Sequence, residues 1–135
     1  MEIVVSKPPM WEEINEAFNV EGKAVIFSWG HRIYNPQNLE ISGALMAHEA
    51  VHGQRQGTEE RKIAEWWKQY IIDPKFRYTE ELAAHRAEYR AMKSWTKDRN
   101  QSSKYLHQVA QRLASPLYGG VVTYTEARRA IAAER

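Results

Sequence analysis

Three observations in the sequence predict an α+β fold, mostly helical, with a small sheet or hairpin near the N-terminus. The β-branched and aromatic runs that read as strands fall within residues 2–35, and the later chain carries apolar residues at helical spacing. The 135 residues are also enough for one hydrophobic core but not for two, so residues 1–135 are read as a single domain.

The elements follow in order. "EIVV" (residues 2–5) reads as a short strand stopped by Pro8 and Pro9, with Pro9 placed to enter a helix. "MWEEINEAFN" then spaces Trp11, Ile14 and Phe18 along one helical face. "KAVIFSW" and "RIYN", on either side of Gly30, read as two strands of a hairpin closed by Asn35-Pro36. Ser42 is suited to cap a helix that runs to about Gln56, with Gly57 as its stop. A second long helix covers 59–72 and is ended by Asp73-Pro74. Thr79 is the expected cap of "EELAAHRAEYRAMKSW". "SSKYLHQVAQRLA" is helical up to Ser115-Pro116, "LYGG" is a turn, and "TEARRAIAAE" is a terminal helix capped by Thr125.

Composition narrows the function classes. A formal charge of +2 gives no electrostatic case for a nucleic-acid partner. No apolar run is long enough for a bilayer, and "MEIVVSKPPMW" lacks the pattern of a secretory signal, which predicts a cytoplasmic protein away from membranes. Without cysteine, thiolate zinc sites are excluded. Any metal must be held by His, Asp or Glu, the ligand types of catalytic rather than structural zinc.

The segment "GALMAHEAVHGQRQG" supplies such residues as His48-Glu49-Ala50-Val51-His52, an H-E-x-x-H pattern. On a helix, positions i and i+4 share a face, so His48 and His52 can present two imidazoles to one ion. Glu49 is turned to the side of that pair, where it can take a proton from water activated by zinc. Glu81, His85 and Glu88, in "TEELAAHRAE", stand at i, i+4 and i+7 of a later helix and are candidates for a third ligand. The same residues also suit a plain helix surface, with acids in the first turn and a Glu81–His85 pair.

"HEAVH" followed by "EELAAH" resembles the gluzincin branch of the zincin metallopeptidases. The resemblance implies a compact zincin-like domain with one Zn2+, held by His48, His52 and Glu81, with Glu49 as general base. It also implies a peptide or protein substrate, laid as an added strand along the edge of "AVIFSW" or "RIYN". Many members carry an acidic residue four positions after the third ligand, bonded to a ligand histidine. Here that position holds His85, which with Glu88 is therefore a second-shell or alternative ligand. Residues 24–120 also resemble small uncharacterised zincin-like proteins of bacteriophages, which implies a phage-encoded chain in a bacterial host.

Tyr118, in a Gly-flanked turn, is the first candidate to stabilise an oxyanion. The expected function is a zinc-dependent metallopeptidase. The alternative is a catalytically inactive zincin-fold structural or interaction protein. Glu49 favours the first, because a structural zinc needs no general base, and the small size favours the second.

Overall fold

Residues 1–133 are described by the computed structural model. Three short strands, β1 (Glu2–Val4), β2 (Phe27–Trp29) and β3 (Arg32–Tyr34), form one mixed sheet in the order β1-β3-β2. β2 and β3 are the predicted hairpin, turning at Gly30, whose φ of 62° suits a residue without a Cβ. β1 pairs with β3 in parallel, Ile3 opposite Ile33. Only residues 27–29 of the expected seven-residue strand join the sheet, because β3 offers just three residues to pair with.

Helix α1 (Trp11–Phe18) forms where the apolar spacing predicts it. It is entered through Met10 in a left-handed conformation rather than through Pro9. Helix α2 (Gly43–Gln56) starts as expected: Leu45 N donates to Ser42 Oγ at 3.1 Å, and Gly57 closes the other end.

Helix α3 (Glu60–Ile72) is followed at once by α4 (Pro74–Trp95), a helix of 22 residues. The start of α4 corrects the predicted cap at Thr79. The Asp73 carboxylate accepts from Lys75 N and Phe76 N, and Pro74 occupies the first turn, where its missing N–H costs nothing. Thr79 lies inside the helix and donates to Lys75 O. One Asp-Pro pair thus ends one helix and begins the next. Two other starts move for the same reason, a better cap upstream. Helix α5 (Arg99–Leu113) is capped by Asp98, and α6 (Tyr124–Ala132) by Thr123, which forms a capping box with Glu126. Glu134, the last residue of the predicted terminal helix, lies outside the described residues.

Two apolar clusters result. Ile14, Phe27, Trp29, Trp66, Trp67 and Tyr70 join α1, the sheet and α3. Leu106, Val109, Leu113, Ala127 and Ile131 join α5 and α6 beneath Tyr89 of α4. Between the clusters run α2 and α4, packed together along their length. Their facing sides are polar: His48, Glu49, His52, Glu81, His85 and Glu88 are all buried. A buried polar seam of this kind is costly unless its members satisfy one another or hold an ion. Among the described residues no helix is long and apolar enough to cross a membrane.

Candidate metal centre

Close approach of the hairpin to α2 sets the geometry. Gly53 follows the second histidine, and a Cβ there would lie 2.1 Å from the carbonyl oxygen of Gly30. The end of α2 also grips the hairpin through Gln56, whose Oε1 accepts from Gly30 N (2.7 Å) and whose Nε2 donates to Ser28 O (3.0 Å). The H-E-x-x-H turn is thereby pinned against β2.

His48 and His52, one turn apart, bring their Nε2 atoms within 3.1 Å of each other. Glu81 Oε1, from α4, lies 3.1 Å from the first and 3.2 Å from the second. Three donor atoms thus form a nearly equilateral triangle. Tetrahedral ligands bonded at about 2.0–2.1 Å stand about 3.3 Å apart, so the triangle fits a single ion. The predicted ligand set, His48, His52 and Glu81, is brought together, and these buried groups could hold a metal.

A second layer orients the first. His48 Nδ1 donates to Glu88 Oε1 at 2.8 Å, and His85 Nδ1 donates to the same oxygen at 3.0 Å. The Tyr105 hydroxyl donates to Glu88 Oε2 at 2.5 Å. An ionised carboxylate only accepts, so each imidazole presents Nδ1–H to it; without metal His48 also carries a proton on Nε2, donated to Glu81, and this is the nitrogen a metal would take in place of the proton. The acid expected at position 85 is therefore supplied seven residues after Glu81 instead of four. From α3, the Tyr70 hydroxyl donates to Glu81 Oε2 at 2.6 Å. Among the described residues, two buried nitrogens, His52 Nδ1 and His85 Nε2, have no hydrogen-bond partner.

Glu49 stands beside the triangle. Its Oε2 is 3.5 Å from His48 Nε2, and its Oε1 is within hydrogen-bonding distance of Ser28 Oγ at 3.0 Å. Burial pushes the Glu49 carboxyl above its ordinary pKa against the pull of His48 and His52, which favours a group that picks up protons. Glu81 behaves in the opposite way. Burial would raise it, but His52 and His48 hold it well below the usual carboxylate range. For His48, burial is outweighed by bonds to Glu81 and Glu88 and by the charge of Glu49, so its pKa rises to about 10. Burial lowers His85.

The centre opens into a cavity of about 510 Å3. Val20, Val25, Phe27, Leu45 and Trp67 give it apolar walls, and Tyr118 also lines it, with its ring centroid 6.2 Å from that of His85. Tyr118 ends a single 3-10 turn, Pro116–Tyr118, before Gly119. Arg77 anchors that turn, donating to Leu117 O as well as to Tyr70 O and Ile71 O at the end of α3.

Of the two expected strand-addition edges, "RIYN" needs correction, because β3 is the central strand with β1 on one side and β2 on the other. β2, within "AVIFSW", is an edge strand, and its Ser28 carbonyl accepts from Gln56 Nε2 and Trp67 Nε1. Trp66 and Trp67 are both buried, Trp66 donating to Glu80 Oε1 and packing edge-on against His52. The sequence reading missed Tyr70, Tyr105, Ser28, Gln56 and Arg77. Only Gln56, four residues after His52 on the motif's own helix face, carried a positional signal.

Set against models of protein families, curated proteins and solved structures, the chain finds no match.

Proposed function

We propose that the protein is a zinc-dependent metallopeptidase of the zincin type, hydrolysing a peptide bond with Glu49 as general base. One observation carries this reading: Glu49 is buried beside the ligand triangle without belonging to it, and its pKa is raised. His48, His52 and Glu81 would hold the ion, two imidazoles and a carboxylate being a ligand set typical of catalytic zinc. When bound, zinc supplies Lewis acidity, which lowers the pKa of water and polarises a carbonyl.

Glu49 takes the proton of the attacking water and returns it to the departing amine nitrogen. Ser28 Oγ shares its one proton between the Glu49 backbone carbonyl (2.9 Å) and Oε1 (3.0 Å), and Oε2 is turned toward the ligand triangle to carry the proton from water. The Tyr118 phenol, kept protonated by burial and by the charge of Glu81, donates to the carbonyl oxygen as negative charge develops there.

Glu49→Gln tests the reading. The variant should bind zinc like the parent and lose hydrolysis of a broad peptide library by at least about 10²-fold. Equal cleavage by both would exclude Glu49 as the base.

A second reading rests on His85. Its Nε2 is buried, without a hydrogen-bond partner among the described residues, and 3.9 Å from Glu81 Oε1. A fourth protein ligand would close the coordination shell and leave a structural metal in a non-enzymatic protein. The electronic spectrum of the cobalt-substituted protein separates the two. Change on adding an anionic ligand marks an open position, and indifference marks a closed one.

A further inference from the structure

The cavity that holds the ligand triangle is unevenly charged. Three carboxylates line it, Glu49, Glu81 and Glu88, and each is already engaged by histidine, serine or tyrosine. None is left to receive the ammonium group of a peptide N-terminus. Two cations line it as well, Lys23 and Arg112. Arg112 projects from α5 with about half of its side chain exposed, and among the described residues its one contact with a carboxylate is loose, 3.9 Å from Nη2 to Glu88 Oε2. It lies close enough to Tyr118 and Tyr105 to pull both phenols down against the rise caused by burial. Arg112 and Tyr118 therefore line one cavity together with the apolar residues Val20, Val25 and Phe27.

We propose that Arg112 is a specificity-determining residue that binds the free α-carboxylate of the substrate, and that the cavity takes peptides or N-acyl amino acids ending in a large apolar residue. The inference rests on the peptidase reading and makes the activity that of a carboxypeptidase. A planar guanidinium matches a carboxylate with two parallel hydrogen bonds, which a lysine cannot reproduce. The apolar wall takes the terminal side chain. In the reaction, water adds across the terminal amide. The C–N bond breaks, the acyl carbon gains the hydroxyl, the amine nitrogen gains the proton, and an apolar amino acid leaves.

Binding and cleavage are measured on the full chain. The probes are N-acetyl-L-phenylalanine and its carboxamide, titrated calorimetrically into zinc-loaded and metal-free protein. The acid should bind at least about 10-fold more tightly than the amide. Arg112→Gln should abolish that preference while circular dichroism and zinc affinity stay at parental values. Lys23→Gln should preserve it. Equal affinity for acid and amide overturns the proposal. So does a preference that survives Arg112→Gln, whether it disappears without metal, which places the carboxylate on the ion, or with Lys23→Gln, which places it on the lysine. Cleavage of a peptide and its C-terminal amide at equal rates overturns the carboxylate site but leaves the peptidase standing. If neither is cleaved, the peptidase reading fails and the binding titration still decides the carboxylate site.

Discussion

The Tyr70 hydroxyl donates to Glu81 Oε2 at 2.6 Å, reaching from α3, a helix that brings no ligand of its own. Removing that donor frees a buried carboxylate to rotate away from His48 and His52. Tyr70→Phe keeps the ring, stacked on Trp66 at 5.0 Å, so the fold should persist. Metal affinity should fall about 10-fold or more, the usual effect of losing such an outer partner. Competition with a chromophoric chelator measures it, and an unchanged affinity would show that Glu81 is held without Tyr70.

The metal-free protein should depend on pH in a predictable direction. His48 rises from 6.5 to about 10 on folding, so its contribution to stability is complete below about 6.5 and is lost as pH climbs toward 10. Glu81 is depressed, so its contribution is present above 4.5 and lost as pH falls. Denaturant unfolding with chelator present should therefore show stability declining from pH 7 to 10. Saturating metal displaces the His48 proton and should remove that decline. For the same reason, metal binding at pH 7 should release about one proton, read by calorimetry in buffers of different ionisation enthalpy.

Gly53→Ala should be among the most damaging single changes. Its Cβ would clash with the Gly30 carbonyl oxygen, a backbone atom that cannot swing aside as a side-chain tip could. The hairpin must move off α2, carrying Ser28 away from Glu49. The expected loss is at least about 2 kcal/mol of stability, measured by denaturant unfolding of the metal-free protein. Wild-type stability would mean the hairpin moves at little cost.

Tyr118→Phe should separate binding from rate. The phenol is not one of the three proposed ligands, so zinc affinity should hold, whereas kcat should drop about 10²-fold if it supports the oxyanion. A parental kcat would remove it from the reaction.

The parts legible in the sequence are those written in one helix or one turn. His48 and His52 could be placed together because four residues make one turn, and Ser42 capped α2 as expected. The hairpin at Gly30 was equally local. Strand length was not, because residues 23–26 fail to pair only once β3 proves to be three residues long. The cap at Asp73 was hidden by its neighbour: an Asp-Pro pair reads as a helix end, and only packing shows that it is also a beginning. Glu88 carried a helical-face signal but not its partner, since its bond to His48 spans two helices 40 residues apart in sequence. Tyr70 and Tyr105 reach their carboxylates from helices with no motif of their own, so no spacing could announce them.

Glu81, His85 and Glu88 all ride on α4, a helix unbroken over 22 residues. This divides the gene into tolerant and intolerant stretches for insertions and deletions. One residue added between 81 and 88 would rotate Glu88 by about 100° and swing it off His48. The same addition in the 57–59 connection would be absorbed before α3 begins. Chains of related architecture should therefore vary in length outside α2 and α4 and keep the interval from 81 to 88 constant.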